Sequence, residues 1–377
     1  MPHARFTHLH LHTEYSLLDG AIRLKDLFVR AKEHKLPALA MTDHGAMHGT
    51  VEFYKAAEKA GIKPIIGCET YVAPGSMRDR KPGRFGETNS HLVLLARNEV
   101  GYRNLCKLVT DAHKYGFYYK PRIDKELLRA HSEGLIALTA CMGGEVPRAI
   151  RSGNMEAAIE IAREYEGIFG EGNFYLELQE NGIDIQKQVN QGLVEISKAT
   201  SIPLVATNDC HYLDQGDAKS HEVLMCIQTG KTMADEKRMK LETDSLYMRS
   251  PAEMTELFSW CPEAIEATME IANRCNVELD FNTYHFPHYD LDREESLSDC
   301  LDRLAREGLE ERIEDMAIAP TEEEEAVRER YGARLEIELK VIRDMGFPGY
   351  FLIVQDFIKW SKNNGVPVGP GRGSAAG

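Results

Sequence analysis

Along roughly the first 210 residues, short apolar runs of strand length alternate with stretches whose apolar positions recur at helical spacing. The runs Phe6–His12, Ala38–Thr42, Lys63–Tyr71, His91–Ala96, Leu135–Ala140, Asn173–Leu178 and Pro203–Thr207 predict strands. Between most of them, Leu24–His34, Gly49–Ala60, Glu99–His113, Met155–Phe169 and Ile185–Ala199 predict helices. Such alternation predicts an α/β fold with a parallel sheet and crossover helices. Metal-ligand residue types sit at or beside the ends of these runs. That placement favours a closed seven-stranded β/α barrel, which would gather them at one face.

After His211 the pattern turns helical, over Lys219–Gln228, Pro251–Phe258 and Pro262–Cys275. The segment Phe281–Asp292 is rich in aromatics, Pro and Asp, and predicts a connector. Beyond it, Ser296–Met316, Thr321–Asp344 and Tyr350–Asn363 predict three helices. A boundary near residue 285 divides the chain into 1–285 and 286–377, with no internal repeat.

Composition narrows the picture. The chain has 377 residues, 43% of them hydrophobic, enough for a sizeable core in two or three domains. A net charge of −15 excludes a simple nucleic-acid coat, so contact with nucleic acid must be local. Part of the acidic excess lies in Glu322–Glu329, which predicts a solvated helix face. The eight cysteines show no paired spacing and no Cys-x-x-Cys. The N-terminus lacks an apolar signal region, and no run reaches membrane-span length. These features predict a cytoplasmic protein with reduced thiols and no membrane association.

The candidate chemistry is a set of nine ligand-type residues: His10, His12, Asp19, His44, Glu69, His91, Cys141, Asp209 and His211. Imidazole, carboxylate and thiolate are the usual ligands of zinc-like metals. His10 and His12 fall on one side of a strand, because side chains alternate with period two. Asp209 and His211 repeat that spacing. Singly, a loop His is usually solvated and a strand-end Cys usually belongs to the core. Jointly, nine such residues at successive strand ends predict one multinuclear metal site, a device suited to phosphate-ester hydrolysis. Imidazoles with one thiolate favour zinc, and the carboxylates also permit manganese.

Two loops add possible phosphate contacts. Arg78-Asp-Arg-Lys-Pro-Gly-Arg84 is basic, although a solvated loop accounts for it equally simply. Tyr115–Arg122 interleaves aromatics with Lys120 and Arg122, the composition of single-strand binding surfaces or of aromatic packing beneath a barrel loop. The terminal Gly369-Pro-Gly-Arg-Gly-Ser374 does not match the Walker pattern. Its glycines Gly369, Gly371 and Gly373 would let backbone N–H groups approach phosphate, with Arg372 and Ser374 as further donors. A glycine-rich turn at the end of the sequence predicts the front part of a longer protein.

These motifs carry a resemblance. His8-Leu-His-Leu-His-Thr-Glu-Tyr-Ser-Leu-Leu-Asp-Gly20, Thr42-Asp-His-Gly45, Gly67-Cys-Glu69 and Thr207-Asn-Asp-Cys-His211 resemble the polymerase-and-histidinol-phosphatase (PHP) domain. Gly346–Val354 and Gly369–Ser374 resemble the start of the palm of bacterial replicative, C-family DNA polymerase III alpha subunits. The resemblance covers essentially the whole chain. It implies a distorted seven-stranded barrel with a trinuclear metal cluster, followed by the helical start of a truncated palm. One metal would take His10, His12, Glu69 and Asp209. A second would share Glu69 and take His91 and Cys141. A third would take Asp19, His44 and His211. Glu69, His10 and Asp209 become the expected catalytic centre, and the activity 3′→5′ proofreading exonuclease through a metal-activated hydroxide. The implied partners of a full-length parent are DNA primer–template, deoxynucleoside triphosphates, Mg²⁺ at the palm, the sliding clamp and other replicase subunits. The palm's carboxylates are absent here, so this chain would not polymerise alone. Two other readings stay open: a small-molecule phosphomonoesterase, and a metal-stapled scaffold that docks a separate proofreading subunit.

Overall fold

The structure, a computed structural model, describes residues 3–369 apart from 18, 84–86, 284 and 317–322. It divides into two compact units, residues 1–279 and 280–377.

Unit one is built on a curled mixed sheet. Its strands are β1 (Ala38–Met41), β2 (Lys63–Val72), β3 (Ser90–Ala96), β4 (Arg122–Ile123), β5 (Leu135–Leu138), β6 (Phe174–Gln179) and β7 (Leu204–Thr207). They pair in the order β1-β2-β3-β5-β6-β7, with the short β4 beside β2. The pattern of apolar runs located each long strand to within a few residues. The sheet is not all-parallel, however: β3 pairs antiparallel with both β2 and β5. No crossover helix forms between β2 and β3 among the described residues, so the chain returns beside itself in the opposite direction.

The expected first strand, Phe6–His12, does not form as a regular strand. It nevertheless closes the barrel. The Ala40 and Thr42 N–H groups donate to the His8 and Leu11 carbonyls, at 3.0 and 2.9 Å. On the other side, His12 N–H donates to Cys210 C=O at 2.8 Å and Cys210 N–H to His10 C=O at 3.1 Å. Three residues of this segment therefore span two of β1, which is a bulge. The bulge resets the side-chain alternation. Leu9 packs in the inner cluster and Leu11 in the outer one, although they are two residues apart.

Elsewhere alternation holds. Ile65, Val93, Leu95, Ile136, Leu138, Tyr175 and Val205 fill the barrel interior. Their neighbours Ile66, Leu92, Leu94, Leu176 and Leu204 meet the surrounding helices. Each fully buried Leu or Ile contributes roughly 1.5–3 kcal/mol. The helix Pro262–Arg274 adds Ala267 and Ile271 to the inner cluster. It is tied to the barrel floor, where Lys63 Nζ donates to Ala272 C=O at 2.7 Å. Just beyond it, Asn276 N–H donates to Arg97 C=O, also at 2.7 Å. That floor lies at the N-terminal ends of the parallel strands and leaves the opposite end open for chemistry.

Unit two holds helices Leu297–Glu314, Glu324–Asp344 and Pro348–Asn363. They share a small core of Cys300, Leu301, Leu339 and Leu352. Trp360 on the last helix is 61% exposed, and Phe351 and Phe357 are also exposed. Gly369 is exposed, while Gly371, Arg372, Gly373 and Ser374 lie outside the described residues. Among the described residues, no helix is long and apolar enough to cross a membrane.

Candidate metal centre

The open end of the barrel brings all nine candidate residues together. Parity explains most of them. Ile65, Gly67 and Glu69 alternate inward along β2, so the apolar interior gives way to a carboxylate at the strand's upper end. Because β3 runs the other way, His91 reaches the same end from the start of its strand. The turn after β1 supplies His44, and the segment after β7 supplies Asp209 and His211.

Glu69 is the centre. Its carboxylate, fully buried, lies 2.5 Å from His44 Nδ1, 2.9 Å from His91 Nδ1, 3.5 Å from His10 Nε2 and 3.7 Å from His12 Nε2. Cys141 Sγ is 3.9 Å from Glu69 and 3.6 Å from His91 Nδ1. Asp209 Oδ1 sits 3.2 Å from His10 and 3.1 Å from His12. Asp19 faces His44 at 2.9 Å and His211 at 3.8 Å. Three sets are spaced to hold an ion: His10, His12 and Glu69; His44, Glu69 and His91; and His12, His44 and His211.

Further hydrogen bonds fix which imidazole nitrogen faces inward. His10 Nδ1 donates to Glu177 at 2.6 Å, which frees Nε2. His12 Nδ1 meets Ser16 Oγ at 3.3 Å, and that hydroxyl donates to Asp43 at 2.9 Å. His211 Nδ1 donates to the Asp209 carbonyl at 2.9 Å. Support of this kind orients imidazoles for a metal. His10 Nε2, His44 Nδ1 and Glu69 Oε2 are buried with no aligned hydrogen bond. Orphaned polar atoms that converge on one space are what a bound cation satisfies, so the donor set fits a metal.

Electrostatics agree. Burial opposes the charged form of His10, but Asp209, Glu177 and Glu69 outweigh it and raise its pKa well above normal. His44 is likewise raised to about 10, with burial opposed by Glu69 and Asp19. Burial lowers His12 to about 3, helped by the neighbouring His44 and His211. Burial pushes the Cys141 thiol well up, reinforced by Glu69 and Asp209. In both carboxylates burial is the largest influence and favours protonation. The surrounding imidazoles overcome it and hold Glu69 and Asp209 ionised below the ordinary range.

Several contributors escaped the sequence reading. Glu177 is a buried acid in the apolar run Phe174–Gln179, and its inward parity with Tyr175 was the available signal. Asp43 accepts from Thr13 N–H at 2.6 Å and ties the first loop to the second. His221 lies buried 3.6 Å from Asp19 with its Nε2 unsatisfied. It sits on a helix beyond the barrel, where no strand-end pattern marks it. Gly20 is required by a close approach of backbone: an added Cβ would lie 2.0 Å from the Thr13 carbonyl oxygen. Ala140 and Asp209, with φ of 59° and 50°, occupy the left-handed region beside the site. Such outliers concentrate where function over-determines the backbone. Arg122 does not face solvent. It is buried and donates to the carbonyls of Gly116, Thr88, Met77 and Asp79, so it is unavailable to a phosphate.

A curled barrel with a His/Asp/Glu/Cys centre at its open end defines a PHP domain, and the sequence profile of that family matches residues 8–181. A second profile, the bacterial DNA polymerase III alpha NTPase domain, matches residues 299–377. The chain belongs to the DNA polymerase III alpha subunit family. It is 44% identical over 376 residues to DNA polymerase III subunit alpha of Borreliella burgdorferi, covering 99% of this chain and 32% of that protein. With the corresponding protein of Aquifex aeolicus it is 45% identical over 388 residues, covering 99% of this chain and 33% of that one. It thus spans about a third of the length of the curated relatives it matches. Among solved structures, an amidohydrolase from Chromobacterium violaceum aligns with 54% of this chain and 87% of its own, at 16% identity and a TM-score of 0.35.

Proposed function

We propose that unit one is a metal-dependent phosphodiesterase that acts as a 3′→5′ proofreading exonuclease, within a protein whose remaining parts polymerise DNA. The observation that carries this reading is the gathering of nine ligand-type side chains, Glu69 at their centre, with buried donor atoms that no hydrogen bond among the described residues satisfies. In this reading three ions would be held, one by His10, His12, Glu69 and Asp209, one by Glu69, His91 and Cys141, and one by Asp19, His44 and His211. When bound, such ions acidify water and neutralise the charge that builds on a phosphoryl group. The chain's own part is positioning. Glu177, Ser16 and the Asp209 carbonyl hold three imidazoles in a single tautomer, and Glu69 stands between two sets of ligands. The donor chemistry accommodates zinc or manganese.

Residues 286–377 are read as the opening of the polymerase palm. Primer–template, deoxynucleoside triphosphates, Mg²⁺, the sliding clamp and other replicase subunits are then partners of the full-length protein.

The test is a metal-dependent assay of the purified chain on a single-stranded oligonucleotide, a primer–template, a mononucleotide and a simple phosphomonoester. Release of mononucleotides from 3′ ends, absent in Glu69→Gln, is expected. Faster cleavage of the phosphomonoester than of any DNA would make the site a small-molecule phosphatase. Metal binding without hydrolysis of any substrate would make it a scaffold.

A further inference from the structure

Beside the metal centre lies a cleft of about 230 Å³, lined in part by Asp19, His44, Tyr71, Phe117, Tyr119 and Lys120. Two of its aromatics are displayed outward: Phe117 is 55% exposed and Tyr119 is 74% exposed. Tyr119 holds φ at +60°, a region that bulky side chains avoid. The turn is closed by Tyr118 N–H donating to the Lys120 carbonyl at 3.0 Å. A glycine or asparagine would make that turn without strain. The strained residue is instead a large aromatic with most of its surface in water.

The turn is also fixed in place. Arg122 clamps its base to the loop of Met77 and Asp79. His113 Nε2, on the preceding helix, donates to the Gly45 carbonyl at 2.9 Å, next to His44. Gly45 has φ of +58°, and a Cβ there would lie 2.9 Å from Pro121 Cγ. The aromatic turn therefore rests directly on the turn that carries His44. Cations surround it in a chain of net charge −15. Lys120 Nζ lies 5.3 Å from the Tyr71 ring centroid, and Lys114 and Arg78 flank Tyr115 at 5.2 and 5.4 Å.

We propose that Phe117 and Tyr119 form a base-stacking platform for the end of a DNA single strand, with Lys120 facing its backbone and the terminal phosphodiester at Asp19 and His44. This rests on the phosphodiesterase reading above. Exposed aromatic faces accept only unpaired bases and tolerate any sequence, while interleaved cations neutralise phosphates. A proofreading site needs that combination, because it must accept whichever nucleotide ends the strand and only once it is frayed.

The test measures binding apart from turnover, on the full metal-loaded chain. A 5′-fluorescein thymidine oligomer with phosphorothioate linkages at its 3′ end reports by anisotropy. Tyr119→Gly should weaken binding by at least about tenfold. It should not lower the melting temperature, because glycine removes the strain. Tyr119→Trp should bind as wild type does. An oligomer whose last nucleotides are abasic needs no variant, and wild type should bind it as weakly as Tyr119→Gly binds the intact one. Equal affinity of wild type for intact and abasic oligomers overturns the platform, as does unchanged binding in Tyr119→Gly. A fall in melting temperature for Tyr119→Gly would make the residue structural and count equally against it. Hydrolysis of bis(p-nitrophenyl) phosphate by wild type reports on the phosphodiesterase reading separately. If that fails while base-dependent binding holds, the platform stands and the hydrolytic assignment falls.

Discussion

At the scale of single residues, Glu69 carries the greatest consequence. Glu69→Gln removes the one carboxylate that faces four imidazoles and the Cys141 thiol. Elemental analysis should show fewer metal ions per chain, and diester hydrolysis should disappear more completely than in Cys141→Ala, which loses a peripheral contact. Retained hydrolysis in Glu69→Gln would remove Glu69 from the centre. Glu177 meets the centre through its hydrogen bond with His10 Nδ1. Glu177→Gln should weaken metal affinity by roughly 10–100-fold while the fold persists, the usual effect of losing an orienting partner. Competition against a chromophoric chelator reads that shift, and wild-type affinity would leave Glu177 with no positioning role. Gly20→Ala forces a methyl against the Thr13 backbone and should cost about 1–3 kcal/mol in urea unfolding. The nine candidate ligands were legible in the sequence because their types are few and strand ends are easy to locate. Asp43 and His221 were not legible, because a turn acid or a lone helical histidine announces no partner, and Glu177 offered only its inward parity.

At the scale of elements, the loops around the open end are held by one side chain. Arg122 satisfies four backbone carbonyls from three separate stretches of chain. Arg122→Met removes the side-chain donor from all four, and each carbonyl left buried without a partner costs roughly 1–3 kcal/mol before relaxation. The expected loss is about 3 kcal/mol or more, with faster amide exchange at Met77–Asp79 and Gly116–Lys120 than in the barrel strands. Uniform exchange in the variant would show that the clamp is dispensable. The same element overturned the sequence reading of Arg122 as a phosphate contact. Composition shows that a basic residue lies among aromatics, but the direction of its side chain depends on which carbonyls lie unpaired nearby.

At the scale of the whole molecule, the two units should separate by stability. Unit one has a large core and a centre of converging buried polar atoms that a bound cation would satisfy. Chelation should therefore lower its melting temperature, because metal that binds only the folded state stabilises it by mass action. A melting curve insensitive to chelator would argue against a metal centre altogether. Unit two has only a small core, centred on Cys300, Leu301, Leu339 and Leu352, and exposed aromatics on its last helix. Limited proteolysis should cut first in the exposed stretch between Phe281 and Ser296 and leave a resistant barrel. Cleavage inside unit one ahead of that stretch would contradict this ordering.

The sequence by itself determined the long strands and helices, the residue types that gather at the open end, and the family, because period, residue type and motif spacing are local properties. Only the tertiary structure decided the direction of β3, the bulge that closes the barrel through residues 8–11, and the burial of Arg122. Each of these depends on which backbone groups are left to pair once the remainder of the chain has packed. No local pattern encodes that, since hydrogen-bond partners and burial belong to residues far apart in sequence.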